Sequence, residues 1–220
     1  MSIVVMAGCS GKKETGAGQG GQTQAAVQST KNNELENPSA DGVLVDYEKE
    51  GLLTLMEYKG IPLSKKDLKD EDLSEEEMAG ESAWETVVDG SDVTDYPQSL
   101  VDEEYEITKK QYEDMAELLG GTMEDLLQQF GMDEDGLYEV SEDQVKQRMI
   151  AKTIAYREKI ELDEDTYISS LREYMEIEEG EEKTKEELEE EYVADYGNHP
   201  KDDMYIELVK KYIAKEAIIS

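Results

Sequence analysis

From about residue 73 to the end, apolar residues recur at helical spacing, and glycines fall between the periodic stretches. Behind Pro97, the residues Val101, Tyr105, Thr108, Tyr112, Met115 and Leu119 stand at intervals of 4, 3, 4, 3 and 4, which keeps them on one helix face. Pro97 suits the first helical position, where no N–H is needed. After Gly120-Gly121 a short helix is predicted over Met123 to Phe130. A wider apolar arc (Val145, Met149, Ile150, Ala151, Ile154, Ala155, Ile160) then predicts a deeply buried helix over 142–160. Further helices are predicted over about 164–178, 185–196 and 202–218, the last with Tyr205, Leu208, Val209, Tyr212 and Ile213 on one side. Start signals agree with this division. Ser74-Glu-Glu-Glu77 and Thr184-Lys-Glu-Glu187 read as capping boxes, Ser141-Glu-Asp-Gln144 as a glutamine version, and Asp163 as a further N-cap. Ahead of the helices, Leu52 to Leu63 reads as an extended piece, and Pro62 confines any strand there to an edge or isolated position.

The first forty residues have a different pattern. An apolar run ends in Ala7-Gly8-Cys9, an arrangement that resembles a bacterial lipobox, with Cys9 as the lipidated residue of a signal segment over 1–9. The run is short and no basic stretch precedes it, which a truncated start would explain. Residues 10–41 are rich in Gly, Gln, Ser, Thr and Asn, a flexible tether whose ends would lie roughly 30 Å apart. An anchor joined to a polar leash implies an extracytoplasmic protein, lipid-anchored to the bacterial cell membrane. The expected organisation is completed by a short extended segment plus helix over 42–95 and a helical domain over 96–220.

Composition narrows the function. The 56 acidic side chains outnumber the 22 basic ones, for a net charge of −34, and nearly all of it lies beyond residue 45. Affinity for a phosphate backbone comes from clustered Lys and Arg, so nucleic acid is not an expected partner. The lone cysteine excludes an internal disulfide, and no cofactor or metal is implied. The single histidine, His199, stands between Asn198 and Pro200 without a nucleophile pattern, and a capping or surface role is expected of it. Gly131 to Glu142 places Asp133, Asp135, Gly136 and Glu142 at positions 3, 5, 6 and 12 of a calcium loop, but Gly131 stands where the first ligand belongs. In so acidic a chain, a partial match of this kind is a chance product.

Several segments resemble the C-terminal domain of trigger factor, a bacterial folding chaperone. They are Tyr96-Pro-Gln-Ser-Leu-Val-Asp-Glu-Glu-Tyr105, Leu119-Gly-Gly-Thr-Met-Glu-Asp-Leu126, Val145-Lys-Gln-Arg-Met-Ile-Ala-Lys-Thr-Ile-Ala-Tyr-Arg-Glu-Lys-Ile160, Leu162-Asp-Glu-Asp-Thr-Tyr167 and Glu191-Tyr-Val-Ala-Asp-Tyr-Gly197. Their order and spacing cover about 125 of the 220 residues. The family's ribosome-docking domain and its FK506-binding-protein-type prolyl isomerase domain have no counterpart here. Tyr58-Lys-Gly-Ile61 resembles the strand that leads into the isomerase, and Ala83-Trp-Glu-Thr-Val87 resembles the segment on the isomerase's far side. About 20 residues separate them, too few for a domain.

The resemblance implies an all-α fold: a trigger factor C-terminal/SurA-like peptide-binding body with helical arms. It also implies a non-catalytic, chaperone-like function, with unfolded or nascent exported polypeptides as partners and a homodimer as one further partner. Loose binding of varied chains needs uncovered apolar patches, for which Met and Tyr are adaptable. The expected peptide-binding residues are Tyr105, Tyr112, Met115, Phe130, Met149, Tyr156 and Tyr174. Ordinary packing between helices would produce the same stripes. Two other readings stand beside this one: a prolyl isomerase-family folding factor, and a scaffold lipoprotein that binds one dedicated partner.

Overall fold

The computed structural model describes residues 40–66, 68, 73–178, 180–197 and 199–220. Cys9 and most of the expected tether lie outside them. Seven helices dominate the described residues: α1 (Glu75–Gly90), α2 (Gln98–Leu118), α3 (Met123–Phe130), α4 (Glu134–Glu158), α5 (Glu164–Tyr174), α6 (Lys185–Tyr196) and α7 (Pro200–Glu216). Four two-residue strands accompany them: β1 (Leu53–Thr54), β2 (Pro62–Leu63), β3 (Asp92–Val93) and β4 (Ile218–Ile219). The fold is helical, as the periodicity predicts.

Local chemistry starts most of these helices. Ser74 and Thr184 each accept a hydrogen bond from the backbone N–H three residues on and receive the reciprocal glutamate, so both capping boxes form. Asp163 caps α5 through the Thr166 N–H at 2.8 Å. One start signal misleads. Ser141 lies buried inside α4, where its hydroxyl donates to the Leu137 carbonyl at 3.0 Å. The true cap of α4 is Asp133, which accepts the Gly136 N–H, so the helix begins eight residues before the predicted 142. Asp135, Gly136 and Glu142 therefore stand on a regular helix, which cannot wrap around a calcium ion as the loop would.

The main core lies where α1, α4 and α7 meet. Ala83, Val87, Ile150, Ile154, Val209 and Ile213 are fully buried there. Gly80 of α1 eases this approach, since a Cβ at that position would stand 3.2 Å from the Lys210 carbonyl oxygen of α7 and one of the two backbones would have to give slightly. The same core takes in Tyr47, Leu53, Tyr58 and Ile61 from the extended segment. That segment is pinned at both ends: β1 pairs antiparallel with β3, and β2 pairs parallel with β4 at the end of the chain. Pro62 opens its strand opposite Ile218, consistent with an isolated pair. Periodicity places Ile218 at the end of a helix. It is instead drawn into an extended pair, with its N–H donating to the Ile61 carbonyl at 2.9 Å. A second, smaller core of Tyr167, Leu171, Leu188, Tyr192 and Met204 joins α5 and α6 to α7.

Candidate polypeptide-binding surface

Two helical extensions leave the main core. In the first, α3 lies against α2, held by buried Ala116, Leu126, Leu127 and Leu137. Thr122 caps α3, and Gly131 closes it in a left-handed conformation at φ 71°. The outer surface of this tip is apolar and uncovered: Leu118 is 78% exposed, Leu119 68% and Phe130 48%. Tyr112 packs edge-on to Phe130 with ring centres 6.2 Å apart, and Met115 is half-buried beside them on α2. The helix ends at Gly120-Gly121, so Leu118 and Leu119 have no further turn to cover them.

The second extension consists of α5 and α6. Tyr174 on α5 contacts Tyr192 and Tyr196 on α6, at centroid distances of 5.3 and 4.9 Å. Between the end of α4 and α7 lies a third feature, a shallow open groove of about 500 Å3 lined by Leu44, Tyr156, Ile160, Leu162 and Tyr205 among others.

Of the residues expected at a peptide-binding surface, Phe130, Tyr156 and Tyr174 are exposed, while Tyr105, Tyr112 and Met115 are half-buried. They do not form one surface. Tyr105 faces Tyr138 at 5.8 Å, Tyr112 and Phe130 form the tip, Tyr156 borders the groove, and Tyr174 belongs to the α5–α6 cluster. Met149 is a correction: it is fully buried in the main core and has no surface to offer, because the apolar arc of α4 is wide enough to be enclosed on several sides. Leu118 and Leu119 are the exposed residues that a reading by aromatic stripes misses. Their signal in the sequence is two adjacent leucines directly before a double glycine.

Buried charges join the extensions to the body. Arg148 of α4 pairs with Glu104 of α2 and stands 3.6 Å from Asp203 of α7, which accepts the Tyr192 hydroxyl of α6 at 2.7 Å. Burial pushes the Glu104 and Asp203 carboxyls up, against the pull of Arg148. A second knot fixes the extended segment. Glu158 accepts from Tyr58, Tyr212 and Lys59 at 2.6, 2.6 and 2.9 Å. Its partial burial acts upward, but these three donors outweigh that and bring the carboxyl down to about 2.

A third knot closes the start of α7. Asp41 accepts the Lys201 and Asp202 backbone N–H groups, and Asp202 in return accepts the Gly42 N–H and pairs with Lys152 at 2.7 Å. Gly42 is favoured here by its φ of +76°, and a Cβ there would push aside the Lys201 side chain, 2.7 Å away. His199 corrects the expectation of a capping or surface role. It occupies the N-cap position of α7 but makes no capping bond, and it is 5% exposed. Among the described residues its Nδ1 has no hydrogen-bond partner, and the ring lines a cavity of about 10 Å3, room for roughly one water. Burial first, then Arg148 and Lys152, lower its pKa to about 3, so the ring is neutral. Asp41, His199 and Asp202 offer ligand atoms within 4.8 Å of one another. The Lys152 ammonium already neutralises Asp202, however, and the positive groups that keep His199 neutral would repel a metal cation.

What the two extensions present to solvent includes apolar and aromatic side chains: Leu118, Leu119 and Phe130 on the first, Tyr174, Val193 and Tyr196 on the second. No helix among the described residues is long and apolar enough to cross a membrane. No curated protein and no solved structure matches the chain. A family model does: bacterial trigger factor protein (TF) C-terminus, over residues 65–215, which takes in all seven helices except the last residue of α7. The match runs through 151 of the 220 residues and is to the chaperone part of that factor rather than its isomerase part. The chain therefore belongs to the trigger factor C-terminal family, whose helical domain is a chaperone-type module that binds polypeptides.

Proposed function

We propose that this protein binds unfolded or nascent exported polypeptides without catalysis, as a chaperone held to the outer side of the bacterial cell membrane by a lipid on Cys9. The observation that carries the binding reading is the tip of the first extension. Leu118 and Leu119 lie exposed at the end of α2 and Phe130 at the far end of α3 beside Tyr112, each more than two-fifths open to solvent. Exposed apolar side chains of this kind mark an interaction site, and flexible leucines suit loose contact with varied chains. The net charge of −34 keeps such a patch soluble while it is unoccupied. The anchor and the extracytoplasmic location rest on Ala7-Gly8-Cys9 and on the polar composition of residues 10–41.

Light scattering of several unrelated unfolding proteins tests the binding reading, with the full chain added at stoichiometric amounts. Suppression across clients that survives high salt is the expected result. The triple variant L118S/L119S/F130S should lose it while keeping its helical circular dichroism. Absence of suppression at any ratio would sink the general chaperone reading and leave a dedicated partner. For the anchor, metabolic labelling with a fatty acid should mark the wild-type chain and not C9S.

A further inference from the structure

Tyrosine rings in this protein are used repeatedly as platforms for cations. Lys49 stands 4.9 Å from the centre of the Tyr156 ring, Lys109 5.9 Å from Tyr105, and Lys185 and Lys201 at 5.6 and 5.7 Å from Tyr167. Lys59 serves Tyr58 and Tyr212 together, at 5.8 and 5.6 Å. Three tyrosines are exposed: Tyr156, Tyr174 and Tyr196. Tyr156 has its lysine. Among the described residues, Tyr174 and Tyr196 have none.

The surroundings of these two rings sharpen the contrast. They meet edge to face at 4.9 Å and rest on buried Tyr192, at 5.3 and 5.0 Å, which fixes their positions. Carboxylates act on both: Asp203 and Glu207 on Tyr174, Asp195 and Glu176 on Tyr196, each adding to burial in pushing the phenols up. The cations nearest in sequence are engaged elsewhere. Arg172 donates to the Glu178 and Glu181 carbonyls, Lys183 pairs with Glu181 and Glu191, and Arg148 is paired with Glu104. A preorganised aromatic face with negative charge around it and no cation of its own is complementary to a positive side chain. The ring quadrupole attracts the cation, and the carboxylates add to that attraction.

We propose that Tyr174 and Tyr196 form a docking face for the arginine and lysine side chains of a bound polypeptide, separate from the apolar tip formed by α2 and α3. The proposal rests on the polypeptide-binding reading and adds a chemical preference at a second place on the molecule. Apolar segments would engage Leu118, Leu119 and Phe130, and basic residues would engage the α5–α6 extension. Arginine should do better than lysine, since its planar guanidinium also stacks on the ring.

Fluorescence anisotropy separates this from general charge attraction. The probes are a short disordered peptide bearing arginine and leucine, and its counterpart with citrulline at every arginine, which keeps the shape and removes the charge. The full chain should prefer the arginine peptide, partly through its overall negative field, which no tyrosine substitution alters. In Y174L/Y196L that preference should fall by about fivefold, the part owed to the rings. In Y174F/Y196F, which keeps the aromatic faces, it should remain close to wild type. The single variant Y196L, at an exposed residue in the last turn of α6, gives the same readout with less disturbance of the fold. An unchanged arginine preference in Y174L/Y196L and Y196L, with the citrulline peptide still bound, overturns the docking face and leaves polypeptide binding standing. Failure of the wild-type chain to bind either peptide overturns both.

Discussion

The core shared by α1, α4 and α7 and the tip formed by α2 and α3 use the same kinds of side chain and treat them in opposite ways. In the core, Ile150, Ile154, Val209 and Ile213 have lost all contact with water, while at the tip Leu118 and Leu119 keep most of theirs. The difference is one of geometry rather than composition. Three long helices enclose the core, and Gly80 lets two of their backbones come close. At the tip, the eight-residue α3 reaches back along α2 as far as Tyr112 and leaves Leu118 and Leu119 bare. Apolar surface in the first region holds the fold together, and in the second it remains available for a partner. One of the ionic knots links them, where Arg148 joins α4 to α2 and α7.

Several substitutions would break or sharpen this contrast. Met149→Ala, in the core, should cost about 3 kcal/mol in urea unfolding by leaving a cavity, yet the folded variant should suppress client aggregation as wild type does. A loss of suppression at unchanged stability would instead return Met149 to the binding surface. Lys152→Met should cost about 3 kcal/mol as well, because Asp202 would be left as a buried charge without its ammonium partner. A neutral result would mean that the Gly42 N–H and the start of α7 satisfy Asp202 by themselves.

The His199 site gives a smaller effect with a defined sign. Its folded pKa, about 3, lies below the usual 6.5, so the unfolded chain takes up a proton that the native state refuses, and stability falls as pH drops from 6.5 toward 3. Asp41 acts the other way. Burial foremost, with the nearby Asp202 charge adding to it, outweighs the backbone donors and raises its pKa from 3.8 to about 6, so stability is gained as pH falls from 6 toward 3.8. The histidine shift is the larger. His199→Asn should therefore reduce the acid-side loss, by on the order of 1 kcal/mol between pH 7 and 5, when its stability is compared with wild type at each pH. An identical pH dependence in the two proteins would mean that His199 titrates in the fold as it does in the unfolded chain. The smallest effect on stability is expected at the tip, where L118S/L119S should change it by less than about 0.5 kcal/mol while abolishing most client binding. A large destabilisation there would show that the tip is part of the core after all.

Much of this architecture is decided within a few residues of chain. The caps at Ser74, Asp163 and Thr184 form as read because each uses a side chain and a backbone N–H three positions away, so no distant part of the molecule is consulted. The number of helices after residue 96 and their approximate limits come from the same local periodicity, while the family resemblance is carried by particular motifs such as Tyr96–Tyr105 and Val145–Ile160. Which polar neighbours go inside with a stripe does not come from that periodicity. On α2 the stripe is buried at Val101 and Thr108 and half-buried at Tyr105, Tyr112 and Met115, but Leu119 stays exposed and Glu104 is buried beside the stripe, because Arg148, 44 residues away, supplies the partner that lets Glu104 go inside. Ser141 looks like a cap until Asp133 starts the helix before it, His199 looks exposed until residues 40–42 fold over the start of α7, and Ile218 continues a helical stripe until Ile61 offers it a strand partner. Short-range hydrogen bonding and periodicity are written in the sequence of this protein. Burial is a property of what the rest of the chain brings alongside, and only the tertiary structure decides it.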